Sequence, residues 1–379
     1  MNNFLKQANK KLNLRSLDAL RGFLAIYVVF GHCRWLLWAG NNEWNKIPHN
    51  WLANILAITS AIFRYGHEAV MIFFVLSGFF IHLRVAKQLA HNDTFQFDIT
   101  RFFSRRLHRL VPPYVFALVL TLIVDLIGRH FYPTLYSGAT GDALLDGNFI
   151  NKDFSLSAVI PALFLIPSSL GKDFGTNGPF WSLGYEFIYY LLYPLWLLAR
   201  RYNSFFSYLL VIGIAFTTSW IMPSGFVHGI LVHYPLWLVG AFIAEILTKK
   251  QLPIKLVFAS YFVLPIAFIA INFNFPELPQ LFWNALLGAS TVLIVMSLPS
   301  SIFNNFWHQF FEFLGIESYT IYICHFPLIA FVSAWTIETF GERPMHGWLA
   351  VFTGIVTLFL CHLLFILCER NFMHKRLKA

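Results

Sequence analysis

Ten stretches of this chain are apolar over a length that crosses a bilayer: 17–38, 66–84, 110–131, 181–199, 205–222, 226–247, 254–272, 281–298, 315–337 and 347–367. A hydrocarbon core about 30 Å thick and a helix rise of about 1.5 Å per residue together require roughly 20 apolar residues per crossing, so each stretch predicts a transmembrane helix. Two further apolar pieces, 51–63 and 157–167, are too short to span and predict interfacial or re-entrant segments. The longest non-helical stretch lies between the third and fourth runs, at about 132–180, and is rich in Gly, Asp and Asn. Connections of that length are usually lids or binding surfaces. The expected class is an all-α polytopic membrane protein with about ten transmembrane helices, and residues 1–379 read as a single membrane-embedded domain.

Composition agrees with the pattern. Hydrophobic residues make up 58% and charged residues only 12% of the 379, which excludes an ordinary soluble domain. The net charge of +9 is not a nucleic-acid signature, because the basic residues are dispersed among the connections and not gathered on a polar domain. If both termini are cytoplasmic, 19 of the 27 Lys and Arg fall on the inner side, as the positive-inside rule demands, and 132–180 becomes a long extracytoplasmic loop. The weak point is the inner connection 299–314, which has no Lys or Arg. Basic residues precede the first apolar run as in a signal peptide, but no small-x-small cleavage site follows it, so it reads as a retained helix.

The first run carries Arg21 and His32 within otherwise apolar sequence. Ionisable groups at membrane depth are costly and mark function by default. Eleven residues at about 100° each put the two side chains on one helical face, about 16 Å apart along the axis. Cys33 and Cys324 each adjoin a histidine, but neighbours on a helix diverge by about 100° and the usual ligand spacings are missing, so no metal is expected. All four cysteines fall in or beside apolar runs, which argues against a disulfide scaffold. No internal repeat is visible, which weakens a secondary-transporter reading.

Five ordered segments then carry a resemblance. They are Leu17-Asp-Ala-Leu-Arg-Gly22 with His32, Phe73-Phe-Val-Leu-Ser-Gly-Phe79, Arg105-Arg-Leu-His-Arg-Leu-Val-Pro112, Trp181-Ser-Leu-Gly-Tyr-Glu186 and Ser318-Tyr-Thr-Ile-Tyr-Ile-Cys-His-Phe-Pro327, with a terminal Glu369-Arg370. In this order and spacing, from about 15 to 370, the chain resembles the acyltransferase-3 family of integral membrane O-acyltransferases. One departure is Met71, where many members carry an acid two places before the Phe-Phe pair; the nearest acid here is Glu68. The resemblance implies transfer of an acyl group, commonly acetyl, from cytoplasmic acetyl-CoA or another acyl-CoA to a hydroxyl of an extracytoplasmic or lipid-linked glycan.

Acyl transfer to a hydroxyl needs a base, a grip on a polyanionic donor and charge stabilisation at the oxyanion. His32 and Glu186 fall at matching depths in the first and fourth runs, so they form a candidate acid/base dyad, or an acyl-accepting histidine with its orienter. Arg21, with Asp18 one turn earlier, is a candidate contact for the CoA phosphates or the thioester oxygen. Arg101, Arg105 and Arg109 recur at four-residue steps, as a phosphate clamp or an anionic-lipid anchor would, and the resemblance points Arg105 and Arg106 toward the donor. His325, two residues before Pro327, lies near mid-bilayer and is a candidate lining of the acyl path or a structural partner. Ser77 reads as a small residue permitting close helix contact, and His67 and Glu68 as acceptor-side or merely solvated groups. The rival reading is a transporter or flippase whose buried Arg, His and Glu form a proton or substrate path. A non-catalytic membrane sensor with the same groups as structural pairs is a third.

Overall fold

The computed structural model describes residues 14–39, 51, 55, 60–92, 94–249, 253–273, 275–299, 305–345 and 347–373. A helix forms at each of the ten predicted positions. In chain order these are α1 (Leu14–Leu37), α2 (Gly66–Asn92) and α3 (Ile99–Phe131), then three short helices, α4 (Pro133–Tyr136), α5 (Ala143–Phe149) and α6 (Leu156–Leu163). The array continues with α7 (Phe180–Tyr202), α8 (Ser204–Ile221), α9 (Phe226–Lys249), α10 (Ile254–Ala270), α11 (Glu277–Ser297), α12 (Phe306–Phe340) and α13 (Trp348–Cys368). Eight of these are long and apolar enough to cross a membrane, so the chain is a multi-pass membrane protein. The other two at predicted positions are α10, with 17 residues, and α7, which carries Glu186, Arg200 and Arg201.

Local chemistry sets the boundaries. Asn203 caps α8, its side chain accepting from the Phe206 amide at 2.9 Å, which separates α7 from α8 with no intervening loop. Asp142 caps α5 in the same way through Leu144 and Leu145. The 132–180 stretch is not the unstructured connection its composition suggests: besides α4 to α6 it holds a parallel bridge between β1 (Lys152–Asp153) and β2 (Asp173–Phe174). Helix α6 has eight residues and does not span, in line with the reading of 157–167, whereas most of 51–63 lies outside the described residues. Helix α12 begins at Phe306, so the later part of the connection read at 299–314 is helical.

The described residues cluster into two compact units. The first draws on Met1–Leu24, His67–Phe102 and Tyr185–Ile316, the second on Ala25–Gly66, Phe103–Gly184 and Glu317–Ala379. In the first, α8 packs on α9, α9 on α11 and α10 on α11, while α8 and α10 turn Phe205, Phe216, Trp220, Phe258 and Phe262 outward, as lipid-facing helices do. Its centre is aromatic: Tyr189, Tyr193 and Trp237 are almost wholly buried.

Helices α2 and α9 approach to backbone contact. A Cβ on Gly78 would overlap the Trp237 carbonyl oxygen, and one on Gly240 would overlap that of Val75 and lie 2.6 Å from the Phe79 nitrogen. Backbone atoms cannot swing aside as a side chain would, so Gly240→Ala is expected to force the helices apart at a cost of about 1–3 kcal/mol. A lowered thermal midpoint in detergent, against an unchanged midpoint for Gly213→Ala where a Cβ meets open space, checks this.

The first unit also holds a buried ionic cluster that the sequence did not suggest. Arg200 of α7 forks onto Glu245 of α9, Nε to Oε1 at 2.7 Å and Nη2 to Oε2 at 2.6 Å. His82 of α2 meets Glu245 Oε1 through Nε2 at 2.9 Å and Tyr193 through Nδ1 at 2.9 Å. A carboxylate only accepts, so in the neutral ring Nε2 carries the proton and Nδ1 accepts from the tyrosine hydroxyl. Three helices are thereby joined at one carboxylate.

Candidate functional site

In the second unit α1 presents His32 and α12 presents His325, and their nearest ring nitrogens, His32 Nδ1 and His325 Nε2, are 2.8 Å apart. The rings stack at 5.0 Å between centroids and 19° between planes. The chain of hydrogen bonds fixes the tautomers. His325 Nδ1 lies 2.9 Å from the Ile321 carbonyl, and a carbonyl only accepts, so His325 carries its proton on Nδ1. Its neutral Nε2 is then an acceptor, and the 2.8 Å bond requires a proton on His32 Nδ1. His32 is left with an unprotonated Nε2, the atom a general base or nucleophile uses.

Helix α12 is held at this level by the proline two residues on. Pro327 has no N–H to give to Ile323, four residues back, and the freed Ile323 carbonyl accepts instead from the Asn177 side chain at 2.8 Å. Asn177 also donates to Thr121 at 3.1 Å, and its neighbour Thr176 gives both backbone and side-chain hydrogen bonds to the fully buried Asp125, at 2.6 and 2.8 Å. Gly175 makes that approach possible: φ is +54°, and a Cβ there would overlap the Asp125 carboxylate. The end of the 132–180 stretch is thus tied to α3 and to α12 beside the histidine pair.

Other groups of the second unit converge nearby. Phe326 meets His32 edge-on at 5.0 Å, and Lys152 Nζ lies 5.8 Å from the Phe326 ring centroid. Tyr322, one turn before His325, donates to Ser182, which itself donates to the Pro179 carbonyl at 3.1 Å; the two hydroxyl oxygens are 2.6 Å apart. Arg343 bonds the Trp35 carbonyl at 2.7 Å and pairs with Asp142, so it ties the end of α1 to the cap of α5.

Arg21 pairs with Asp18 at 3.5 Å within the first unit, both side chains about four-fifths buried, and its guanidinium lies 6.0 Å from the Phe80 ring. Glu186, also in the first unit, accepts from Ser77 and Tyr190, while Trp237 Nε1 donates to Ser77 at 3.1 Å. Ser77 is therefore a hydrogen-bond bridge between α2, α7 and α9, a role beyond the small-residue reading. Arg105, Arg106 and Arg109 follow one another in the early turns of α3, Arg105 exposed and the other two half-buried. His67 and Glu68 open α2.

The sequence singled out both histidines but not their pairing. It also missed Lys152, Asn177 and Arg343. For Asn177 a signal exists, since Pro327 announces an unsatisfied carbonyl at Ile323, though not its partner. For Lys152 and Arg343, single basic residues in polar connections, there is none. All four cysteines are buried free thiols. Among the described residues no group of three His, Cys, Asp or Glu side chains is arranged to hold a metal ion.

The chain is 24% identical over 358 residues to the O-acetyltransferase OatA of Staphylococcus aureus (strain NCTC 8325 / PS 47), covering 88% of this chain and 53% of that protein. It is 24% identical over 332 residues to the peptidoglycan O-acetyltransferase OatA of Listeria monocytogenes, covering 80% of this chain and 51% of that one. The chain thus spans about half the length of the curated relatives it matches. No solved structure matches it. The family model described as an acyltransferase domain, Acyl_transf_3, matches residues 14–366, nearly the whole described chain, and the protein belongs to the acyltransferase-3 family.

Proposed function

We propose that the protein is a membrane O-acyltransferase that moves an acyl group, acetyl in the simplest case, from cytoplasmic acyl-CoA to a hydroxyl of an extracytoplasmic or lipid-linked glycan. The observation that carries this reading is the His32–His325 pair, because its hydrogen-bond chain leaves His32 Nε2 free to take a proton. The relatives are named as O-acetyltransferases, one of them of peptidoglycan, which supports acetyl as the group and a cell-wall glycan as the acceptor class.

In the proposed reaction His32 Nε2 takes the proton of the acceptor hydroxyl as its oxygen attacks the acyl carbon. The tetrahedral intermediate collapses with cleavage of the C–S bond, and the departing thiolate receives the proton from His32. A transient acyl group on Nε2 fits the same geometry. His325 keeps the tautomer and accepts from the imidazolium while it exists. Arg21, Arg105, Arg106 and Arg109 are the proposed donor-binding cations, with Asp18 supporting Arg21. Glu186, bonded by Ser77 and Tyr190, is the second proposed acid/base group. In the proposed topology residues 1–379 form one acyltransferase domain in the plasma membrane, with both ends cytoplasmic and 132–180 facing the acceptor.

The test uses purified protein in detergent, acetyl-CoA labelled in the acetyl group, and a panel of polysaccharide and lipid-linked glycan acceptors. Acceptor-dependent transfer of label, matched by CoA release, is the expected result. Folded protein that neither binds nor turns over acyl-CoA would overturn the reading in favour of transport.

A further inference from the structure

We infer that Lys152 supplies the positive charge for the oxyanion that forms at His32. The inference rests on the acyl transfer proposed above and adds a residue to it. Lys152 is the first residue of β1, and its side chain is only 7% exposed. A lysine buried to that degree needs compensation, yet its two bonds are long: 3.3 Å to Asp173 Oδ2 and 3.4 Å to the Thr176 carbonyl. A charge-assisted N–H···O bond that uses its full strength is about 2.7–2.9 Å. Asp173, moreover, shares its other oxygen with Ser168 and is itself 31% exposed. An ammonium has three protons, and the third is not used by these two acceptors.

The cation lies near two rings, with Nζ 5.9 Å from the Phe149 centroid and 5.8 Å from that of Phe326. Phe326 is also the ring that meets His32 edge-on and the residue that follows His325. The ammonium and the His32 imidazole therefore lie against the same aromatic ring. Gly178 completes the cradle, because a Cβ there would come within 2.9 Å of Nζ. Two neighbouring cations, one in α3 and one in the 132–180 stretch, have contacts of their own. Arg129 is bonded to the Lys152 carbonyl and sits over Tyr136 and Phe154, and Lys172 pairs at 3.6 Å with Asp153 on an exposed surface.

When the acceptor oxygen bonds to the acyl carbon, the C=O electron pair moves onto oxygen and creates a full negative charge. Lys152 stabilises that charge as a hydrogen-bond donor and keeps its proton throughout; the charge disappears when the C=O bond re-forms and the C–S bond breaks. Burial makes the ammonium effective, because the charge is not diluted by water.

The test compares Lys152→Met, Lys152→Arg and Asp173→Asn with wild type and His32→Ala in the labelled-acetyl assay, with unfolding midpoint and acyl-CoA binding measured for each. Lys152→Met is expected to lower kcat by about 10²–10³-fold, the usual loss on removing one oxyanion donor, with KM for acyl-CoA unchanged. Lys152→Arg should recover part of the rate, and Asp173→Asn, which weakens the bridge but leaves the cation, should keep most of it. If Lys152→Met turns over like wild type while His32→Ala is inactive, this inference fails and the acyltransferase reading stands. Equal losses of rate and stability in Lys152→Met and Asp173→Asn would show a purely structural lysine and also overturn it. A wild-type protein without acyl transfer removes both.

Discussion

His32→Ala should lower acceptor-dependent acyl transfer by about 10²–10⁴-fold, the range that a positioned general base contributes, while acyl-CoA binding persists. Retained donor binding is the discriminating half of the result, because a variant that loses both has lost its fold or its donor site. His325→Leu tests the partner. It removes the acceptor for His32 Nδ1–H, and a polar hydrogen stranded in a buried site costs about 1–3 kcal/mol. The imidazole escapes that cost by moving its proton to Nε2, and in that tautomer Nε2, the nitrogen the reaction uses, can no longer accept a proton. Loss of the carboxylate that orients the histidine of a serine-protease triad costs about 10⁴ in kcat. The neutral imidazole of His325 stabilises an imidazolium less than a carboxylate does, so His325→Leu is expected to fall short of that figure and of His32→Ala. His325→Gln, which still offers an acceptor, should recover part of the activity. Full turnover by His32→Ala would remove the pair from the chemistry and leave the family assignment untouched.

Glu245→Ala should destabilise the protein by about 3–5 kcal/mol, the cost of leaving a buried ionic partner uncompensated. Arg200 and Glu245 have side chains only 7% and 10% exposed, and both guanidinium bonds end on this one carboxylate. Removing it strands a permanent cation and deprives His82 Nε2 of its acceptor. The pair is not thereby shown to be stabilising in sum, since desolvating two charges offsets much of their attraction. A double replacement, Arg200→Met with Glu245→Leu, should therefore recover most of what Glu245→Ala loses. Chemical or thermal unfolding in detergent, read as a double-mutant cycle with both single variants, measures the coupling. A Glu245→Ala protein as stable as wild type would mean that water reaches the cluster.

The family motifs and the ionic clusters divide differently between sequence and structure. Arg21, His32, Ser77, Glu186 and His325 stand out in one dimension because each interrupts an apolar run, and interruption at membrane depth is costly enough to be noticed. Arg200 reads as one more basic residue at a helix end, and only packing reveals that it turns inward to Glu245. Lys152 is less legible still: it lies in a stretch of Gly, Asp and Asn, and its neighbours on the page, Asn151 and Asp153, give no hint of burial. The 132–180 stretch was similarly opaque. Two-residue strands and helices of four to eight residues are below the length at which periodicity can be read.

The sequence by itself determined the class, the placement of the ten helices and the family. A bilayer imposes one dominant constraint, apolar length, and satisfies it segment by segment with local hydrogen bonds, so the answer is written along the chain. The tertiary structure alone decided which nitrogen faces which. The bond from His32 to His325, the Asn177 amide on the carbonyl freed by Pro327, and the ammonium of Lys152 near the Phe326 ring each join residues more than 100 positions apart. Those contacts depend on helix rotation and depth at ångström scale, and apolar periodicity leaves both undetermined.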